Sequence, residues 1–576
     1  MERRKSKYEK WKQERKWQAI LLIIFLFFIN VISTRLYVRW DLTEDKLYTL
    51  NDVTKNLLQN IDEPIYVQVY LEGELPAGFR RLKDAIYITL ENFRRESGNK
   101  IYYEFIDPFE DVDSEEKKRK IIRELAEAGL QPTNLTVKTS EGVTEKIIFP
   151  GAIAHYKGRS KAINFLVQQA GLPPEITLNN SIALIEYNIA RAIRDLLIVE
   201  PPTIAFTQGH GELTEPDISD LVRTLNRAYR VMWVNLPEVL EIPKDERIDV
   251  VVVARPTIPF SEQDKFKLDQ YLMNGGTILW LVEGSFAQLD SLRNEDRAFI
   301  AVPADVNLHD QLFKYGVRLH YGLVADMRCA PIPVVVGQMG GVPQQVLRPW
   351  IFFPILYADM KDKHPIVKNM DAVLSRFATK LDTTVGDGLK KTVLLTTSER
   401  SKSYMAPFQV RLDIVRNPPP PGSFNESHLP VAILVEGKFT SLFKNRLTEH
   451  TLKVLDSLGI EVKDESPETK IIVVGDGDIA RNELDRLGNP LPLGFYSYTG
   501  QTFANKEFLL NAIEYLWDKT GIIATRAREV TLRLLNKEKI SRYKTWIQLA
   551  NILLPLLITA VIGIAFNYWR YQKFAR

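Results

Sequence analysis

The stretch Thr203–Glu212 reads TIAFTQGHGE. A short apolar run ends at a histidine flanked by Gly209 and Gly211, and Glu212 follows two residues on. Such a run with a glycine turn behind it predicts a buried strand, Ile204–Thr207, of a parallel sheet. Outward from it, strands predicted at Val231–Val234, Val250–Ala254 and Thr277–Val282 alternate with amphipathic helices. Pro216–Tyr229 sets Ile218, Leu221, Val222, Leu225 and Tyr229 on one helical face. Ser261, with Asp264 three residues on, opens a helix as an approximate capping box, and Asn274-Gly275-Gly276 closes it. Val431–Val435 and Lys470–Val474 are further β-branched runs, and Asn505 is placed to cap a helix with Phe508, Leu509, Ala512, Ile513, Leu516 and Trp517 on one face. LVEG followed by Phe two positions after the glycine occurs at Leu281–Phe286 and Leu434–Phe439, and reads as one strand-to-turn solution used twice. The alternation predicts an α/β fold with a doubly wound parallel sheet of the flavodoxin or class I amidotransferase kind.

Ligands of such sheets bind beyond the carboxyl ends of the strands. That rule makes Gln208, His210, Glu212, Asp476 and Asp478 candidate ligand-binding residues. Three readings of the rim stand: a strand-end turn, a ligand-contacting surface, and a hydrolase site around His210. Catalytic machinery is hard to assemble from the rest. There is no G-x-S-x-G elbow, and Cys329, the single cysteine, lies in the proline-rich MRCAPIP. His210 and Glu212 supply two of the three or four ligands a metal needs, with Asp476 and Asp478 as distant additions, and no HExxH exists. GDGLKKT (386–392) lacks the P-loop spacing, so energy has to come from a partner. No catalytic residue, metal or cofactor is assigned.

Ahead of this sheet, a strand at Ile65–Leu71, a helix at Phe79–Glu96, a strand at Ile101–Ile106 and a helix at Glu115–Ala128 precede a hairpin, Leu135–Val137 with Lys146–Phe149, and β structure at Ala152–Tyr156. The order βαβαββ predicts a thioredoxin-like domain whose redox turn, EGELPAG, holds no cysteine. Ser181–Leu197 is a connecting helix, and Pro201-Pro202 marks the boundary.

Of 576 residues, 45% are hydrophobic and 26% charged, with a net charge of +3. Basic residues concentrate at the ends: eight against three acidic in the first sixteen, and Arg570, Lys573 and Arg576 without an acid in the tail. That is not the broad basic surface of a nucleic-acid binder. From Trp17 to Thr34 and from Trp546 to Trp569 no residue is charged, and Trp11, Trp17, Tyr37, Trp40, Trp546, Tyr568 and Trp569 sit at the edges of those runs. A bilayer core needs about 20 helical residues, so two membrane-spanning helices are expected, with both termini cytoplasmic by the Lys/Arg bias. Val31-Ile32-Ser33 also permits cleavage of the first run as a signal peptide.

The expected order is a basic cytoplasmic tail (1–16), a first span (17–37), a thioredoxin-like domain (38–200), the first part of the doubly wound domain (201–327), an irregular Gly/Pro-rich insertion (328–430), the rest of the doubly wound domain (431–525), a membrane-proximal linker (526–545), a second span (546–569) and a cytoplasmic tail (570–576).

RWDLTEDKLYTLNDVTKNLL (39–58), LPAGFRRLKDAI (75–86), YYEFIDPFED (102–111), IAFTQGHGEL (204–213), FSEQDKFKLDQYLMNGG (260–276), LVEGKFTSLFKNR (434–446) and NKEFLLNAIEYLWDKTGIIATRAR (505–528) resemble, in this order, the gliding-motility-associated ABC-transporter auxiliary family, GldG. The resemblance covers nearly the whole chain and carries no catalytic residue. It implies a non-enzymatic subunit working with an ABC permease and its cytoplasmic ATPase. It further implies a place in the inner membrane of Bacteroidota, the bulk of the chain being periplasmic, and service in gliding motility. A homodimer within the complex is compatible with it. The alternatives are a periplasmic glycan or peptide receptor and a hydrolase.

Overall fold

The computed structural model describes residues 17–18, 20–30, 49–527 apart from 111, 113, 140–141, 168–172, 244–245, 340–341, 359–363 and 386–387, and 537–574. The expected basic tail 1–16, the close of the first span with its cleavage site (31–37) and positions 528–536 of the linker lie outside the described residues. The chain divides into two compact units, Met1–Arg528 and Glu529–Arg576.

In the first unit, α1 (Ile20–Asn30) is apolar, exposed and shorter than a membrane span. After α2 (Asp52–Gln59) come β1 (Ile65–Val69), α3 (Ala77–Glu96), β2 (Ile101–Phe105), α4 (Glu115–Glu127), the pair β3 (Thr133–Thr139) and β4 (Gly142–Ile148), then β5 (Gly151–Tyr156), β6 (Arg159–Asn164), α5 (Pro174–Ala183) and α6 (Ile185–Leu197). The sheet order is β2-β1-β5-β6, with β1 and β2 parallel and the other pairs antiparallel. The expected hairpin forms as β3–β4, but it pairs only with itself. The closing strands of the sheet are β5 and β6, and the sequence reading missed β6. Its signal was the two-residue turn Lys157-Gly158, where both φ angles are positive (47° and 78°), as a hairpin turn requires. α3 buries Phe79, Leu82, Ile86, Leu90 and Phe93, one stripe at helical spacing.

The second sheet has ten strands. β7 (Thr203–Gln208), β8 (Arg230–Asn235), β9 (Ile248–Ala254), β10 (Thr277–Leu281) and Glu465–Val474 are parallel, arranged β8-β7-β9-β10 and then Glu465–Val474. In chain order that is 2-1-3-4-5, with its switch point between β7 and β9, and the helices of this lobe are α7 (Ser219–Leu225), α8 (Glu262–Met273), α9 (His309–Lys314), α10 (Glu449–Ser457) and α11 (Asn505–Trp517). Alternate residues face opposite cores. Phe206, Val252, Leu281 and Val474 pack with Phe508, Leu509, Ala512 and Ile513 of α11 (Asn505–Trp517). Ala205, Val253, Trp280 and Val473 pack with Leu268 and Leu272 of α8 (Glu262–Met273). Burial on both faces explains the unbroken apolar runs.

Two expectations are corrected here. The segment 328–430 is not irregular. Cys329–Met339 and Val342–Ala358 form a long antiparallel hairpin, joined to the parallel strands through Lys390–Thr396 and Pro430–Thr440. Its prolines looked like loop signals, but Pro331 faces Pro349 and Cys329 faces Pro354 at an edge with register shifts, where proline costs little. Leu434–Phe439 is also no strand end: strand Pro430–Thr440 runs through Gly437 (φ 138°).

The expected boundary at 200/201 separates two lobes of one unit, whose core is continuous from Leu50 to Ile523. α6 crosses it. Arg194 Nη1 lies 2.9 Å from Glu514 and 3.2 Å from Asp518, both fully buried, and its guanidinium lies 4.6 Å from the Trp517 ring centre. Tyr187 donates to Glu514 at 2.7 Å, and Arg191 Nε lies 3.2 Å from it. Burial alone would raise Asp195, but Arg194, Arg191 and Lys161 outweigh it and hold its carboxyl low.

In the second unit, α12 (Lys537–Phe574) contains Arg542–Gln572, a stretch of 31 residues with no burial and composition apolar enough to cross a membrane. Leu554, Leu556, Val561 and Ile562 are each more than half exposed, so the helix calls for apolar surroundings. Pro555 lies inside it, and Thr559 Oγ1 donates to the Pro555 carbonyl at 2.8 Å.

Arg194→Ala leaves Glu514 and Asp518 buried and short of positive charge. It is expected to lower unfolding free energy by about 3–5 kcal/mol, read by urea unfolding of the full chain. The exposed pair Arg293–Asp290, at 3.1 Å, is the control: Arg293→Ala is expected to cost about 1 kcal/mol or less.

Candidate functional site

The carboxyl ends of the parallel strands carry two separate polar groups. The first lies behind β7. Gly209 and Gly211 have φ of 110° and 70°. A Cβ on Gly209 would stand 2.4 Å from Pro237 Cδ, and one on Gly211 2.2 Å from Thr257 Oγ1, so both positions require glycine. The turn they make swings His210 inward. The His210 amide donates to Glu212 Oε2 at 2.7 Å, and its carbonyl accepts from Thr257 and Ile258 at 2.8 and 2.9 Å. The ring stacks on Phe260, 3.8 Å between centres and 5° from parallel, with Nε2 3.3 Å from Asp264. Nδ1 lies 3.8 Å from Glu212, beyond hydrogen-bond reach. Asp264 is taken by Ser261 at 2.6 Å and Lys267 at 2.7 Å, which outweigh its burial and hold it below the usual range. Glu212 is likewise held low: burial raises it, but hydrogen bonds from His210, its own backbone and Thr207 prevail. His210 is therefore a strut between the β7 turn and the start of α8. Of this group only Gln208 is exposed.

The second group gathers at the ends of β9, β10 and the last parallel strand. Arg255 (φ 56°) sets Nε 3.0 Å from Asp478 and 3.6 Å from Glu283. Gly477 donates to Glu283 at 2.9 Å, and a Cβ there would stand 2.5 Å from Arg255 Cβ. Asp476 accepts from Ser375 Oγ and, at 2.8 Å, from the Arg376 amide. Arg481 reaches Asp478 at 2.9 Å. Burial, then Asp476 and Asp478, push Glu283 well above the carboxylate range despite Arg255. Burial and Asp478 push Asp476 up to about 6.

These groups are buried because segment 375–379 lies across the strand ends. The Thr379 amide donates to the Gly475 carbonyl at 2.7 Å, and Thr379 Oγ1 accepts from the Gly284 amide at 3.0 Å. A Cβ on Gly475 would meet Thr379 O at 2.4 Å, and one on Gly284 would meet His320 O at 2.1 Å. Beside this plug a cavity of about 400 Å³ remains, lined by Arg376, Asp478, Arg481, Glu483 and Tyr498 among others.

No hydrogen bond or ion pair among the described residues joins His210 and Glu212 to Asp476 and Asp478, and only Asp478 borders the cavity. Sequence reasoning put Arg255 and Glu283 at strand ends without taking them as candidates, and it missed Arg376 and Arg481. Arg481, three residues after Asp478, was the one with a local signal. Among the described residues no three His, Cys, Asp or Glu side chains are grouped to hold a metal ion. Burial and Asp326 push the Cys329 thiol up to about 12, far from the thiolate a nucleophile needs.

Two outcomes follow from this geometry. His210→Ala removes a stacked ring and a partner of a buried carboxylate. It is expected to cost about 1–3 kcal/mol in urea unfolding, whereas a solvent-facing turn residue would be silent. For Asp476, a carboxyl at about 6 in the fold against an ordinary 3.8 keeps its proton where the unfolded chain has released it. Its contribution is full below about pH 4 and lost as pH rises through about 6. Asp476→Asn is expected to flatten the decline of the urea midpoint over that window, and Glu283 accounts for part of the decline that stays.

A family model described as an ABC-type uncharacterized transport system matches residues 201–512, and one described as a domain of unknown function (DUF7088) matches residues 44–155. The chain is similar to an uncharacterized protein of Borreliella burgdorferi, 22% identical over 559 residues, which is 96% of each chain. Among solved structures it is similar to the mmIFT52 N-terminal domain, with 13% identity, a TM-score of 0.31 and coverage of 55% of this chain and 96% of that one. It is also similar to a ThuA-like protein from Bacteroides uniformis, with 12% identity, a TM-score of 0.25 and coverage of 56% and 94%. The match over 201–512 takes in more than half of the chain and the whole strand-end region just described; the protein belongs to the ABC-type uncharacterized transport system family, as an auxiliary component.

Proposed function

We propose that this chain is a non-catalytic, membrane-anchored periplasmic subunit of an ABC transporter complex of the gliding-motility-associated GldG kind. In this reading it crosses the inner membrane at both ends and docks on the permease that a cytoplasmic ATPase drives. The observation that carries the proposal is α12, a helix with no burial and no polar face over its uncharged run Trp546–Trp569, in a chain whose family is an ABC transport system. The shorter apolar helix α1 supports a second span. The order β2-β1-β5-β6 supports a thioredoxin-like lobe, and the order 2-1-3-4-5 a flavodoxin-like one. The pinned His210 and the plugged strand ends speak against a hydrolase.

A receptor role is the second reading, favoured by the cavity in which Arg376 and Arg481 stand beside Tyr498. Glu483 and Asp478 pair with these two arginines, so the balanced charges and the aromatic ring suit a small uncharged, sugar-like ligand there.

Purification of the tagged chain from native membranes is expected to recover a polytopic permease and an ATPase in fixed ratio. Reporter fusions within residues 201–512 are expected to report the periplasm. Repeated recovery of the chain alone, or a cytoplasmic signal from that region, would sink the proposal.

A further inference from the structure

We propose that the groove beside α9 (His309–Lys314) docks an acidic polypeptide segment carrying apolar side chains. This goes beyond the subunit role, and it lies away from the strand-end residues.

The groove encloses about 590 Å³ and is open along one side, within the range of roughly 300–1,000 Å³ usual for ligand sites. Its apolar surface is unusually bare. Phe313 is 56% exposed and Met405 81% exposed, and Tyr321 stands beside them. Single exposed apolar side chains need no explanation, but several lining one concavity mark a binding surface.

The charge around that surface is one-sided. The groove carries Lys314, Arg318 and Arg446 against one acid, Asp310. Asp310 is already taken by Lys265, whose Nζ lies 2.8 Å from Oδ1, and Arg446 reaches its other oxygen only at 3.6 Å. His320 is engaged by Asp382 at 2.6 Å. Burial lowers His309 below the usual imidazole range, despite Asp305 and Asp310 nearby, so it stays neutral at pH 7. Lys314 and Arg318 have no carboxylate partner among the described residues, and both are exposed. The one acid at the groove is satisfied and the cations are in excess.

An apolar trough edged by unpaired cations is complementary to a chain that presents apolar anchors between carboxylates. An acyl chain would call for an enclosed sleeve, whereas this groove is open. Met405, unbranched and adaptable, suits side chains of varied shape. The occupant is therefore a polypeptide, and the cations around the trough select for Asp and Glu.

The test uses the full chain in phosphatidylcholine nanodiscs, with fluorescence anisotropy of a short labelled peptide alternating Glu with Leu and Phe. A matched peptide with Lys for Glu and vesicles containing phosphatidylglycerol serve as separate probes. The acidic peptide is expected to bind saturably and more weakly as salt rises, and the Lys peptide not to bind. The double variant Lys314→Glu/Arg318→Glu is expected to weaken the acidic peptide by about tenfold or more with an unchanged thermal midpoint. Phe313→Ser is expected to weaken it while keeping the salt dependence. If the double reversal fails to fold, Lys314→Gln/Arg318→Gln gives the same comparison. Equal binding of both peptides, or charge variants that bind like the native chain, overturns the proposal. So does capture of phosphatidylglycerol vesicles without capture of the acidic peptide, which would make the groove a lipid-facing surface. None of these outcomes bears on whether a permease co-purifies, so the subunit reading stands or falls separately.

Discussion

Glu514 has no exposed surface, yet it takes three polar contacts from one helix of the other lobe: Tyr187 Oη, Arg191 Nε and Arg194 Nη1. A carboxylate in that position is costly unless its partners arrive in the right geometry. Arg194 meets Glu514, Asp518 and Asp195 with one planar guanidinium while lying over Trp517. A rigid fork with three carboxylates to satisfy accepts few orientations of α6 against α11. α6 also packs on the four-stranded sheet, and α11 on the parallel one. The relation between the two sheets is therefore set by a handful of buried charges as much as by the apolar core around them.

The same logic of buried charge governs the strand ends. In a doubly wound sheet the crevice beyond the carboxyl ends is the usual place for a ligand. Here the chain fills it with its own segment 375–379. Gly284 and Gly475 are the enabling residues, because a side chain on either would collide with backbone: His320 O above Gly284, and Thr379 O above Gly475. Once covered, Glu283, Asp476 and Asp478 crowd one another, and Arg255 and Arg481 offset only part of that repulsion. Burial first, and then the field among them, raises the carboxyls of Glu283 and Asp476. The plug has an energetic cost, and Ser375, Arg376 and Gly477 offset part of it with hydrogen bonds.

What the sequence made legible was whatever local periodicity or capping controls. The Ser261–Asp264 box opened a helix that ends before Gly275, and Ser261 does accept the Asp264 amide at 3.1 Å. The runs around Phe206, Val252 and Leu279 became central strands because only strands buried on both faces tolerate such apolar continuity. Longer-range decisions were not legible. Asn505 was read as a cap, but its amide instead bridges both backbone groups of Leu374, 131 residues away. The connecting helix read at Ser181–Leu197 is two helices that break at Leu184. His210 and the strand-end acids looked like groups offered to solvent, since nothing within ten residues shows that Phe260 or Ser375 will cover them. Polar residues next to glycine turns carry the same local signature whether they face a ligand or seal a joint.

In the proposed docking role, a subunit without chemistry of its own contributes to a transport cycle by transmitting or receiving displacement. That requirement can be compared with the first unit's construction. A body of two loosely joined domains would dissipate a push at the joint. Here the core runs unbroken from Leu50 to Ile523 across the lobe boundary, and Arg194 is buried along it with Glu514 and Asp518. Sliding one lobe over the other would strand Arg194 away from those two carboxylates, a cost of several kcal/mol per unpaired ion. In the proposed role the two lobes of such a unit move as one piece.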